Sequence, residues 1–339
     1  MHKEILDINK DNYLAEPLDT WLTAGAHDYA VPEASGSSAR VFKYKDRALT
    51  SEYHKDSAIK IMRPDKITYA CPLFLQELQI LQILDGYPGI TPMRRSGFLK
   101  LSDDSAFPEE IAPLTKALEE QAGGFQLKGE LNLFELGDTD LVLAEFDQRV
   151  QEGWLPVIIF EKRWEDNLYL VSDAGYTKGD FRRNLSMLDV LTIAIQICET
   201  LEHAHQKEII YLDHKLLHYY WNDLRKKVIM VDWNIGRYIP GKMTLESRQF
   251  DLLQFSSRAL HHLFTGRQAP GAVAVGQNRP EEIENAPRHY KASYPYDVTR
   301  RLNPGEIAFL ERSLDGGFTS AAEMQDTLEK LKKQRINAS

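Results

Sequence analysis

The stretch PLFLQELQILQIL, residues 72–84, sets a charged residue where a helix can least accommodate one. At about 100° per residue, Leu73, Phe74, Ile80, Leu81 and Leu84 fall on one arc, with Glu77 near its middle. A carboxylate on an apolar face needs a cation, because an unpaired buried charge is expensive. The nearest candidate is Lys60, inside the β-like run SAIKIM, which pairs naturally with the earlier run SARVFKY. The chain from residue 29 to 62 is therefore expected to form a small antiparallel sheet that receives the helix. The alternative is a Glu77 that swings to the helix edge and a Lys60 that faces solvent.

Composition narrows the class. The 339 residues are 43% apolar and 27% charged, as in an ordinary globular protein, and the net charge of −9 argues against a surface devoted to nucleic acid or anionic lipid. The longest apolar stretch, residues 155–160, is far shorter than the ~18 residues of a membrane span. The N-terminal MHKEILDINKDN lacks the apolar core of a signal peptide, so a cytoplasmic protein is expected. Cys71 and Cys198 each lie in an apolar segment and read as buried free thiols.

Residues 102–153 carry thirteen acidic residues against three basic ones, a net charge of −10 that leaves +1 for the rest of the chain. Helices expected at 108–121 and 140–151, joined by Gly-containing turns, make this a structured acidic insertion. It offers a docking face to a basic protein partner, or simply a solvated surface. Beyond it come a strand at LPVIIFE, a long helix over 187–205, a β-hairpin within 209–233 and a helix over 248–265. Two further helices follow near 305–314 and 320–333.

Three segments carry chemistry. In ASGSSARVFKY, residues 34–44, Gly36 and its small neighbours would let backbone N–H groups approach phosphate oxygens, although an ordinary hairpin turn reads the same way. In YLDHKLLHYYW, residues 211–221, Asp213 and Lys215 lie in a turn after the long helix. In KVIMVDWN, residues 227–234, Asp232 ends a β-like run. Carboxylates at strand ends beside loops are where metal ions and substrate hydroxyls are commonly handled.

The order ASGSSARV, SAIK, QELQIL, YLDHKLLH and DWN resembles the protein kinase-like superfamily, and bacterial Ser/Thr kinases in particular, over most of residues 29–333. LTIAIQICETLEHAH, FDLLQF and FTSAAEMQDTLEKL resemble the helices that precede and follow the catalytic loop. The resemblance implies an α+β, bilobal fold: a small β-rich N-lobe with one key helix, and a mainly helical C-lobe. The expected divisions are an N-terminal extension at 1–28, an N-lobe at 29–161 holding the acidic insertion, and a C-lobe at 162–333. It implies transfer of the γ-phosphate of ATP to a Ser/Thr hydroxyl of a protein. A pseudokinase, or a kinase of small-molecule alcohols, are the alternatives.

Roles follow residue by residue from the resemblance. Gly36 and Val41 would cover the nucleotide, and Lys60 would bind the α- and β-phosphates while paired with Glu77. Glu161 would start the adenine-binding hinge, and Asn167 or Asp166 would lie near the ribose. Asp213 would orient or deprotonate the attacking hydroxyl, Lys215 would neutralise the γ-phosphate, and Asp232 would hold magnesium.

The chain also departs from the pattern. Ala34 and Ala39 stand at the outer glycine positions. His218 occupies the place of a metal-binding Asn, which makes manganese conceivable because imidazole suits transition metals better than magnesium; a hydrogen-bonded structural histidine is the competing reading. Tyr211 and Leu212 replace the usual His-Arg, and Trp233 and Asn234 replace Phe-Gly. Asp251 follows Asp232 by only nineteen positions, about half the usual activation segment and peptide platform. His203, His205, His214, His261 and His262 read as structural.

Overall fold

Strand pairing begins from alternation. Ile59 and Ile61 of β3 (Asp56–Met62) are fully buried, and Lys60 on the opposite side is nearly so, which marks a strand covered on both faces. The computed structural model describes residues 2–8, 38–45, 56–103, 127–163, 165–172, 185–272, 290 and 302–338. The chain divides into two units, Met1–Asp85 with Pro92–Arg163, and Gly86–Thr91 with Trp164–Ser339.

The first unit is a six-stranded antiparallel sheet. Besides β3 it contains β1 (His2–Ile8), β2 (Ala39–Lys45), β4 (Met93–Leu101), β5 (Leu127–Glu135) and β6 (Leu155–Glu161), in the order β1-β5-β4-β6-β3-β2. Helix α1 (Ile67–Ile83) buries Leu73, Phe74, Leu78, Ile80 and Leu81 and packs on β3, β4 and β6. Helix α2 (Thr139–Gln151) packs on α1 and on the sheet, where Phe146 meets the ring of Phe98 edge-on at 6.2 Å.

Three expectations change here. α1 begins at Ile67, and Pro72 lies inside it. A proline there removes one N–H from the ladder, a loss the packing of Ala70, Leu73 and Phe74 around it offsets. Within the acidic segment, residues 127–135 form β5 between β1 and β4, so this part is integral to the sheet and not an inserted helical module. Leu131, Asn132 and Leu133 are all buried, but the charges at Lys128, Glu130 and Glu135 mask the β pattern. The N-terminal residues supply β1, paired from His2↔Leu133 to Ile8↔Leu127. The helix expected at 108–121 lies outside the described residues.

The second unit is mainly helical. After the short β7 (Asp166–Asn167) and α3 (Leu168–Ser172), α4 (Met187–Gln206) starts from a capping box. There Ser186 accepts from the Asp189 backbone and Asp189 reaches back. β8 (Ile209–Ile210) pairs with β11 (Arg237–Tyr238), while β9 (Tyr219–Asn222) and β10 (Lys227–Met230) make a hairpin that β7 extends. The helix expected over 248–265 is three pieces: α5 (Leu245–Phe255), a π-helical turn (Ser256–Leu260) and α6 (His261–Thr265). α7 (Pro304–Leu314) and α8 (Ala321–Ala338) follow, α8 lying on α4. Buried Glu306 of α7 is held by Arg335 of α8 at 2.7 Å. Among the described residues no helix is long and apolar enough to cross a membrane.

Candidate functional site

In the first unit, β3 presents Lys60 to α1. Its Nζ donates to Glu77 at 2.8 Å (Oε2) and 3.1 Å (Oε1), both side chains are buried, and the Phe74 ring lies 5.8 Å from the ammonium. A pair this deep is expensive to break, about 3–5 kcal/mol when one partner is removed. Val41 is the residue opposite Lys60 on β2. Glu161 closes β6 opposite Ser57, with its carboxylate bonded to Arg163 and 3.9 Å from Arg94. Gly36 lies outside the described residues.

In the second unit, Asn167 is buried on β7 opposite Tyr220. The segment that follows β8 is built around Asp251 of α5, a carboxylate with no exposure that accepts four bonds. Oδ2 takes the Tyr211 N–H at 3.0 Å and His205 Nε2 at 2.9 Å; Oδ1 takes the Leu212 N–H at 2.7 Å and His214 Nε2 at 2.9 Å. Burial would push the Asp251 carboxyl up, but the two imidazoles outweigh it and hold it far below the usual carboxylate range. This anchor holds Leu212 at φ 64°, a left-handed backbone that a branched side chain adopts only under constraint.

That turn delivers Asp213, which is 2% exposed. Lys215 Nζ lies 3.2 Å from its Oδ1, and Arg258 Nη1 approaches the same oxygen at 3.5 Å. Burial raises the Asp213 carboxyl, yet Lys215, His218 and Arg258 together keep it below its ordinary value, against the repulsion of Asp232. His218 bridges the two carboxylates. Its Nδ1 donates to the Asp213 carbonyl oxygen at 3.1 Å and is 3.6 Å from Oδ2, while Nε2 lies 3.5 Å from Asp232 Oδ2. Burial holds the His218 imidazole below its usual value, against the pull of both aspartates. Asp232, two residues beyond β10, itself has φ 58°, a left-handed backbone.

The unusual residues flanking these aspartates form a set. The Tyr211 hydroxyl donates to the Val231 carbonyl at 2.7 Å, and its ring packs edge-on against the fully buried Trp233 at 4.7 Å. His214 hydrogen-bonds the Tyr219 hydroxyl at 2.6 Å. Tyr and Trp in place of smaller motif residues thus tie the Asp213 turn to the Asp232 turn by packing. Sequence reasoning passed over two residues. Asp251 enters the sequence reading only through FDLLQF and its spacing from Asp232, with no anchoring role, and Arg258 sits in LLQFSSRALHHLF, where a charge inside an apolar helix could have been read as Glu77 was.

Asp213, His218 and Asp232 offer ligand atoms that all lie within 4.8 Å of one another. Two carboxylates and an imidazole are donor types that a divalent cation accepts, although Asp213 Oδ1 also faces the cations of Lys215 and Arg258.

No family model matches the chain, and no curated protein sequence matches it. Among solved structures it is similar to the PK-1 kinase of Cydia pomonella granulovirus, at 13% identity and a TM-score of 0.50, over 85% of this chain and 88% of that one. The chain has a mixed α and β, protein kinase-like fold.

Proposed function

We propose that the protein is an ATP-dependent phosphotransferase of the protein kinase-like superfamily that transfers the γ-phosphate to a hydroxyl group. The observation that carries this reading is the Asp213 turn. A carboxylate kept ionised by Lys215 and Arg258 stands beside a second carboxylate and an imidazole, in the order that the kinase resemblance gives to base, phosphate clamp and metal ligands.

The resemblance assigns roles to residues of both units. Lys60, with its geometry fixed by Glu77, carries the charge suited to the α- and β-phosphates, while Val41, Glu161 and Asn167 are assigned to the nucleotide by the resemblance, together with Gly36. Asp213 orients the acceptor hydroxyl and takes its proton; Lys215 faces the transferring phosphate. Asp232 and His218 would hold the divalent ion, magnesium or manganese, which when bound neutralises charge on the phosphate oxygens.

A protein Ser/Thr hydroxyl is the acceptor that the resemblance favours. A smaller alcohol is favoured by one feature: between Asp232 and Asp251 the chain makes only β11 and the first turns of α5, a segment too short for a full peptide platform. The pseudokinase reading is favoured by His218 at the Asn position. Transfer from ATP labelled at the γ-phosphate, offered to the protein itself, to generic protein acceptors and to a panel of alcohols, separates the three. Native protein is expected to transfer label and Asp213→Ala to lose it by at least about a hundredfold, with the ATP-induced rise in melting temperature retained. Equal transfer by the variant would remove Asp213 from its role.

A further inference from the structure

The imidazole of His218 has its two nitrogens assigned by geometry. A carbonyl oxygen can only accept, so the 3.1 Å contact with the Asp213 carbonyl places the proton on Nδ1. Nε2 then carries a lone pair, and it is this atom that lies 3.5 Å from Asp232 Oδ2. Two ligands each about 2.1 Å from one ion at ordinary bond angles are roughly 3.0–3.5 Å apart. The backbone carbonyl is also the kind of outer partner that fixes the tautomer and orientation of metal-binding histidines.

The Asp213 carboxylate lies nearby: it offers a ligand atom within 4.8 Å of those of His218 and Asp232, while its Oδ1 faces the Lys215 ammonium at 3.2 Å and the Arg258 guanidinium at 3.5 Å. The Asp232 carboxylate and a neutral nitrogen make a mixed O/N donor set. Magnesium prefers oxygen ligands and retained water, whereas manganese, cobalt and zinc accept imidazole.

We propose that His218 Nε2 joins the carboxylate of Asp232 as a direct ligand, making this a site that selects a divalent transition-metal ion such as manganese over magnesium. The proposal rests on the phosphotransferase reading for its expectation of a metal at Asp232, but it concerns the ion alone and is tested without nucleotide. Mn²⁺ binding to the full chain is followed by loss of the free-ion electron paramagnetic resonance signal, with Mg²⁺ as competitor, in native protein and in His218→Asn. An all-oxygen site already favours manganese somewhat, so the decisive quantity is the change in the Mn²⁺-to-Mg²⁺ affinity ratio. Replacing the nitrogen is expected to lower that ratio by about tenfold or more.

Pulsed measurements on bound Mn²⁺ provide a second readout that does not depend on how well the variant folds. Native protein should show coupling to a directly bound imidazole nitrogen. An unchanged ratio in His218→Asn, absence of nitrogen coupling, or no binding of Mn²⁺ to native protein would each overturn the proposal. Manganese held through nitrogen by a protein that transfers no phosphate would uphold it while removing the enzymatic reading.

Discussion

A single buried charge is the most informative kind of residue in this chain, because it forces a statement about its surroundings. Glu77 was legible for that reason: an apolar helical face with a carboxylate at its centre required Lys60, and the two lie 2.8 Å apart. Arg258 obeys the same logic but was missed. Its guanidinium helps hold Asp213 ionised, so it acts as a positioning residue, through the carboxylate that would meet substrate. Arg258→Met should shift the acidic limb of the pH–rate profile to higher pH and lower turnover by about tenfold, while Arg258→Lys retains most of the limb's position. A profile whose acidic limb does not move in Arg258→Met would show that the contact has no electrostatic consequence. His218 was legible only halfway: its place among the motifs marked it as a departure, but which nitrogen faces Asp232 is a three-dimensional fact.

Elements were legible where one period dominated. The helices over 187–205 and near 305–314 and 320–333 correspond to α4, α7 and α8 because long apolar stripes and capping residues mark them. β5 was hidden because its polar positions carry charges that also suit a helix, and the pairing that decides the matter comes from distant β1 and β4. The start of α1 was hidden by Pro72, whose usual meaning as a stop is overridden by packing. At this scale α5 matters most through Asp251, which fastens the Asp213 turn to a helix by two backbone N–H groups and two imidazoles. Asp251→Ala leaves all four donors buried without an acceptor, and should destabilise the protein by about 3–5 kcal/mol in denaturant unfolding. A change below about 1 kcal/mol would mean that water or a shifted side chain replaces the carboxylate.

On the scale of the whole molecule, the histidines impose a pH limit. Burial lowers His218 and His261 below the ordinary imidazole value, and burial together with Lys207 lowers His203. The unfolded chain therefore binds protons that the folded chain resists. The stability these groups contribute is complete above about pH 6.5 and is lost as pH falls through their lower folded values. Glu199, raised by burial and by Glu329, works in the opposite direction. The melting temperature is expected to drop by several degrees between pH 7.5 and 5.5, and His261→Gln should flatten part of that slope; a melting temperature constant over this range would refute the account. The net charge of −9 belongs to a restricted part of the chain, since residues 102–153 alone carry −10, and this was plain in the sequence. That residues 127–135 of this segment form a strand was not.

The π-helical turn at Ser256–Leu260 bears on how the chain is compared with others. Such a turn is how a helix absorbs one extra residue without losing its direction. Residues before and after it therefore belong to two different phases of the 3.6-residue repeat. Numbering α5 and α6 as one continuous helix misplaces every side chain on one side of the turn by about 100°. Read as one uninterrupted repeat, the face that carries Arg258 is misjudged, and with it the charge that lies 3.5 Å from Asp213.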